Sequence, residues 1–297
     1  MDAGGSPVPE LLCHEGESYV GEEEEGNATV EDACSSSGFA VECSAMDGEA
    51  LEGIVKREMM MDEWKGRNDA VWDKCARSDA IRWIFKIRTT LGFRLQTAYL
   101  SVLYFDRFLA RRAIDSGKAW AFRLLSIACL SLAAKMEEIR VPSLTEYQSE
   151  EYNFGSENVQ KMELFVLTTL EWKLLCVSPF AFLSHFQVKL SDGVAPRDFH
   201  RNASGLIVGL MRESNLLLHR PSAIAAAAVA AATDRSLTSV SLETKMEPIA
   251  KSGFPRTWQE DVRSCYEVMR VLDMEETLTA LDSSHPSRAK RRRLRFT

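Results

Sequence analysis

Apolar residues recur along most of the chain at the three- and four-residue spacings of amphipathic helices, and no stretch alternates convincingly as a half-buried strand would. The pattern predicts a lead-in helix over Leu51–Trp64 and a second helix over Lys74–Leu91, with Ala80, Ile81, Ile84, Phe85 and Ile87 as its apolar set and Gly92 as its stop. Gln96–Leu109 follows, carrying Tyr99, Leu100, Leu103, Tyr104 and Phe108. Lys118–Met136 is apolar almost all round, which predicts a central helix surrounded by others. Pro142 interrupts the chain, Ser143–Ser149 has the length of a short helix, and Ser156–Leu170 is a fifth helix with Ser156 as its N-cap.

After Trp172–Leu175 the series starts again. Ser178-Pro179 is a helix-opening pair, and Phe180–Leu190, Pro196–Asn215, Ser222–Thr233, Leu242–Ser252 and Trp258–Leu281 carry the next five helical patterns. Pro221 and Pro255 punctuate them, and Pro248 inside the fourth predicts a shortened helix there. Two blocks of five helices make an all-α architecture, their equivalence resting on helix count rather than on sequence. The most continuous apolar run, Ala223–Ala232, spans roughly 15 Å, half of a bilayer core, and reads as a buried helix.

Charge changes the picture at the ends. Residues 1–63 hold seventeen Asp or Glu against Lys56 and Arg57, while Arg288–Arg295 holds six Arg or Lys and no acid. The stretch between is close to neutral, at +2. Residues 1–50, rich in Glu, Gly and Ser, cannot bury enough surface to offset chain ordering and are expected to be disordered, as are 283–297. The expected organisation is a 1–50 acidic tail, domains over 51–175 and 176–282, and a 283–297 basic tail. Met1–Glu10 lacks the basic and apolar regions of a signal peptide. The seven cysteines include no C-x-x-C pair, which fits a reducing compartment and shows no metal cage. No phosphate-cradling glycine loop or metalloprotease helix motif is present, and His185, His200, His219 and Met59–Met61 read as packing or surface. These observations point to no catalytic residue, metal or cofactor.

The residues that carry a family resemblance run from Arg77, Ala80, Ile81 and Trp83 through Tyr104-Phe105-Asp106-Arg107-Phe108-Leu109. They continue in Leu132-Ala133-Ala134-Lys135-Met136-Glu137-Glu138, Pro142, Met162-Glu163 and Leu170-Glu171-Trp172. In order and spacing this stretch of about residues 75–175 resembles the cyclin box. Leu11-Leu12-Cys13-His14-Glu15 adds an LxCxE signature where D-type cyclins carry one. Phe93 with Gln96-Thr97-Ala98-Tyr99, and Cys129-Leu130-Ser131-Leu132, resemble the plant D-type cyclins, their fifth class in particular. The resemblance implies two tandem five-helix cyclin-box domains, a cyclin-dependent kinase as partner, and a role at the G1/S transition. Kinase inhibitors are further implied partners, with no membrane and no direct nucleic-acid contact, and a nuclear location shared with the cytoplasm.

By spacing alone, Lys135 shares a helical face with Ala128, Ser131 and Leu132, and Glu163 sits beside Val159, Val166 and Leu170. Both would then snorkel to water from the edge of an apolar stripe, neither deep in the core. The resemblance implies instead that they are the family's Lys–Glu pair that grips the kinase, with Met136, Glu137, Glu138, Ile139 and Leu167 as the surrounding contact surface. A rigid face that binds only the active placement of a kinase's mobile helix shifts the population toward it. Leu11, Cys13 and Glu15, among the acids Glu10, Glu17 and Glu22–Glu25, are expected to dock in a basic groove of a retinoblastoma-type pocket protein. The family's substrate-docking run is altered: Ala76-Arg77-Ser78-Asp79-Ala80 has lost two large apolar groups, Trp83 is kept as a buried structural residue, and Lys86 stands where an acid often helps. Arg288, Lys290, Arg291, Arg292, Arg293 and Arg295 form a compact basic run expected to direct nuclear import. Two other classes are disfavoured: a tandem cyclin fold contacting DNA would need a basic folded face, which the +2 of the middle stretch argues against, and a helical enzyme would need converging carboxylates, which the sequence does not show.

Overall fold

The computed structural model describes residues 48–61, 74–115, 117–147, 152–190, 197–213, 216–234, 237–250 and 253–283, the side chains of 239 and 275–283 excepted. Among the described residues are ten α-helices and three short 3-10 turns, and no strand. Of the tails expected to be disordered, residues 1–47 and 284–297, with the LxCxE motif and the basic run, lie outside them; Gly48–Ala50 and Ser283 are helical, so both tails are shorter than expected.

The first helix, α1 (Gly48–Met61), begins three residues before the expected start and leads into α2 (Lys74–Leu91), whose bounds are those the pattern predicts. Gly92, at φ 69°, lets the Phe93 N–H reach back to the Arg88 carbonyl at 3.0 Å and closes α2 with a left-handed cap. Next come α3 (Leu95–Arg111) and α4 (Ala119–Glu137), packed against each other along their lengths. α4 is long and apolar enough to cross a membrane, yet its residues from Ala121 to Ala134, Arg123 apart, are buried among α2, α3 and α5. A helix apolar on every side is thus the axis of the first bundle. The expected short helix after Pro142 is a 3-10 turn, Leu144–Tyr147.

The fifth helix, α5 (Ser156–Thr169), starts at Ser156 itself. Gly155 occupies the cap position with extended backbone and no side-chain bond, so the expected N-cap role of Ser156 is corrected: it lies one residue inside the helix. The other end carries a left-handed cap without glycine. Glu171 and Trp172 stand at φ 55° and 61°, the Trp172 N–H meets the Leu167 carbonyl at 2.9 Å, and the Glu171 N–H meets that of Thr168 at 3.2 Å.

The second bundle opens with Ser178 and a 3-10 turn, Pro179–Phe182, that runs into α6 (Leu183–Leu190), where one continuous helix is expected. Then follow α7 (Phe199–Glu213), a 3-10 turn (Leu216–Leu218), and α8 (Pro221–Thr233) with Pro221 in its first turn. α9 (Ser239–Ala250) begins three residues early because the Thr238 hydroxyl accepts the Ser241 N–H at 3.3 Å as a cap, and Pro248 falls in its last turn. α10 (Trp258–Ser283) completes the bundle. α8 is its axis: Pro221 to Ala231 are all buried, with α6, α7 and α10 around it. Small side chains allow those neighbours to approach near the short end of the usual 8–10 Å helix separation.

Candidate functional site

The residues between Tyr99 and Phe108 on α3 form an unbroken buried stretch, and two opposite charges stand inside it. Asp106 is fully buried; its carboxylate accepts from Arg77 Nε at 3.0 Å and Nη2 at 2.9 Å, and from the Leu216 N–H at 3.4 Å. Arg77 also donates to the carbonyls of Met211 and Arg212, at 3.0 and 3.2 Å, where α7 ends. Burial raises the Asp106 carboxyl above its ordinary range, and the Arg77 guanidinium only partly offsets this. Arg107, next in sequence, donates to the Lys173 carbonyl at 2.8 Å and to Cys176 Sγ at 3.2 Å, while the Tyr104 hydroxyl donates to the Leu174 carbonyl at 2.7 Å. Burial pushes the Cys176 thiol up to about 11 despite that guanidinium, so it is a structural acceptor rather than a nucleophile. The Tyr104–Leu109 run therefore binds the first bundle to the link at 173–176 and to the second bundle.

A second tie comes from α1. Glu58 is 1% exposed; its carboxylate accepts the Ser222 N–H at 2.6 Å and the Ser222 hydroxyl at 2.7 Å. Ser222 Oγ in turn accepts from Trp258 Nε1 at 2.9 Å. The acid sits at the positive N-terminal end of α8, where charge and free N–H groups favour it. The sequence reading named Asp106 and Arg107 only as carriers of the resemblance and Ser222 and Trp258 only as helix starts, and it gave none of them, nor Glu58, a part in holding the bundles together. The available signal was a charged residue inside an apolar stripe, as with Asp106-Arg107.

On this rigid scaffold the last turn of α4 meets the middle of α5. Lys135 Nζ donates to both carboxylate oxygens of Glu163, each at 2.8 Å. The Lys135 side chain is 43% exposed and that of Glu163 only 9%. Glu163 is thus buried, deeper than the stripe-edge position expected for it, because Val159, Val166 and Leu170 on its own helix pack fully inward. Met136, next to Lys135 in the chain, is exposed, as are Val141 and, at 99%, Ile139 in the segment after α4, and Leu167, one turn on from Glu163, is half-buried. Trp172 stands 64% exposed, turned out by the left-handed cap that ends α5.

Glu137 and Glu138 are engaged by the start of α3. Glu137 accepts from Gln96 Nε2 at 2.7 Å. Glu138 accepts the Arg94 N–H at 2.9 Å and the Thr97 hydroxyl, with Arg94 Nε at 3.6 Å, so it caps α3 and fixes the loop after α4. Of the altered docking residues, Arg77 is drawn inside, Ala76 is half-buried, and Ala80 and Trp83 are buried. The Arg123 guanidinium lies 5.3 Å from the centre of the Trp83 ring.

The chain matches the family model of the cyclin N-terminal domain over residues 49–175 and that of the cyclin C-terminal domain over 177–293. It is 42% identical to Cyclin-D5-1 of Oryza sativa subsp. japonica over 203 residues, which cover 67% of this chain and 55% of that protein. Cyclin-D1-1 of Arabidopsis thaliana is 38% identical over 213 residues, covering 68% of this chain and 60% of the relative. The chain thus spans little more than half the length of these relatives. Cyclin-D5-1 of Arabidopsis thaliana is 34% identical over 285 residues, 92% of this chain and 86% of that protein. Among solved structures, a viral cyclin from herpesvirus saimiri superposes with a TM-score of 0.57 at 16% identity, over 74% of this chain and 96% of the other.

Proposed function

Because the chain belongs to the plant D-type cyclin family, with two cyclin-box domains and a regulatory rather than catalytic fold, we propose that it binds and activates a cyclin-dependent protein kinase. The observation that carries this reading is the Lys135–Glu163 pair, bidentate at 2.8 Å and set among exposed Met136 and Ile139. A polar pair on an apolar face suits a partner that desolvates both, and the ties through Asp106 and Glu58 hold that face rigid enough to select one kinase conformation. Leu167 lies on the same helix as Glu163, and Glu137 and Glu138 shape the surface by holding α3.

The same reading assigns the domains to 51–175 and 176–282 and the family class to the fifth. It gives Leu11, Cys13 and Glu15 the task of recruiting a retinoblastoma-type protein for G1/S entry. It gives Arg288, Lys290, Arg291, Arg292, Arg293 and Arg295 the task of nuclear import.

The test uses Lys135→Ala and Glu163→Ala with a cyclin-dependent kinase, read as activation against concentration. Truncating one member of a desolvated charged pair costs about 2–5 kcal/mol, roughly thirty- to several-thousand-fold in affinity. Glu163→Ala is the cleaner variant, because it leaves only the half-exposed Lys135 behind and water solvates it. Lys135→Ala strands a buried carboxylate and lowers the melting temperature as well. Activation by Glu163→Ala equal to that of the parent would place the kinase elsewhere.

A further inference from the structure

The closing helix α10 uses its two halves differently. In the first half Trp258, Val262, Cys265, Tyr266 and Met269 are buried in the second bundle, and the opposite face carries the exposed Glu260, Ser264 and Glu267. From Val271 on, that outer face turns apolar. Val271 and Met274 are 55% and 59% exposed, and at 3.6 residues per turn positions 278 and 281, both leucine, continue the same line toward the end of the helix. The spacing is that of a short coiled-coil seam, with 271 and 278 as its first apolar position and 274 and 281 as its second. A free helix of this length is marginal in water, but the buried first half holds α10 in place and templates the turns that follow.

The charges beside this line select what covers it. Arg270 and Thr277 flank it on one side, Glu275 and Asp282 on the other. Against a second copy of α10 in parallel register, each Arg270 position stands across from the Glu275 position of the other copy, which makes two pairs of opposite charge. In antiparallel register Glu275 meets Asp282 of the other copy, a pair of like charge. A β-branched residue at the first position with leucine at the second, as at 271 and 281, also favours two parallel strands. Glu267, one turn before Val271, would face its own copy and so marks where the seam begins. Asp273 and Glu276 lie off the seam, and the basic run begins beyond it at Arg288, where repulsion between copies is screened over about 8 Å at physiological salt. We infer that the outer face of α10 from Val271 onward is a self-association surface, through which two copies of the chain pair in parallel. Four apolar positions per copy make a small interface, so the dimer is transient, with a Kd of about 10–100 µM. The inference goes beyond the kinase reading, which rests on α4 and α5.

Sedimentation velocity of the full chain at physiological salt, from below that Kd to about tenfold above it, reads the association without any kinase present. The parent is expected to pass reversibly from monomer to dimer across this range. Val271→Glu with Met274→Glu should weaken pairing at least about tenfold, because it sets like charges across the seam. Both side chains are exposed, so the variant folds, which far-UV circular dichroism checks. Arg270→Glu alone and Glu275→Arg alone should each weaken pairing about tenfold, since like charges then meet across the parallel register. An equimolar mixture of those two variants should associate again, because each supplies the charge that the other lacks. A parent that stays monomeric throughout, a Val271→Glu/Met274→Glu variant that associates as the parent does, or a mixture no tighter than either charge variant alone would each overturn the proposal. So would a parent that assembles beyond the dimer.

Discussion

Replacing Asp106 by Ala removes the carboxylate that joins α2, α3 and the segment after α7. Arg77, its side chain 8% exposed, loses the carboxylate that it meets through Nε and Nη2, and the Leu216 N–H loses its acceptor. Breaking a buried ion pair by deleting one partner costs about 3–5 kcal/mol. The Met211 and Arg212 carbonyls still receive Arg77, which favours the lower end, about 3 kcal/mol. For a fold of this size each kcal/mol lowers the melting point by about 2–4 °C, so Asp106→Ala should melt about 6–12 °C below the parent. Arg77→Met combined with Asp106→Leu should recover most of that loss, because neither charge is then stranded. Calorimetry on the parent and these two variants gives both values. The pH dependence has a definite sign. Burial raises the folded-state Asp106 carboxyl above its unfolded value, so its contribution is fully present below the unfolded value and is lost as pH rises through the folded one. Asp106 therefore adds nothing to acid unfolding. An Asp106→Ala melting point within about 2 °C of the parent, or a double variant no better than the single one, would refute the tie between bundles.

Glu58→Ala should destabilise by about 2–3 kcal/mol in urea unfolding, since two Ser222 donors are left buried without their acceptor; Glu58→Gln, which keeps one acceptor oxygen, should lose less. Burial, with Lys189 adding to it, holds the His185 imidazole below its ordinary value, and its Nδ1 has no hydrogen-bond partner among the described residues. Stability should therefore be fully present above about pH 6.5 and fall as pH drops through the folded value, and His185→Gln should flatten that acid-side slope; identical slopes in the two proteins count against it. Cys13→Ala or Glu15→Lys should weaken binding to a retinoblastoma-type pocket by calorimetry while leaving kinase activation unchanged; equal losses at both partners would show the two surfaces to be coupled.

Helix content was readable because the apolar period is strong. Ala80, Ile81, Ile84 and Ile87 mark the inner side of α2, and the nearly unbroken apolar run of α4 marks an axis. Helix starts were less readable, since they depend on single backbone contacts: Thr238 rather than Leu242 decides where α9 begins, and Gly155 rather than Ser156 caps α5. The Lys135–Glu163 pair was reached through family likeness, because 28 residues of chain separate its members and spacing alone sends both to water. The Glu58–Ser222 tie, 164 residues apart, has no local signature at all. In the linear pattern Glu58 is one more acid in an acidic stretch, and only the folded chain sets it against a helix terminus.

The two bundles solve their central-helix problem with opposite volumes, and this has a consequence for how the chain can change. α4 fills its surroundings with Phe122, Leu125, Ile127 and Leu130, where a lost methylene leaves a gap that neighbours relax into only in part. α8 fills its own with seven alanines among the nine residues Ala223–Ala231, none more than 7% exposed. There the danger runs the other way: any larger side chain forces α6, α7 or α10 outward. Drift along α4 is limited by loss of bulk and drift along α8 by gain of it, so neither helix can stand in for the other. Two domains of one architecture can thus diverge in sequence until only their helix count betrays the kinship, while each stays confined within its own narrow range of permitted residues.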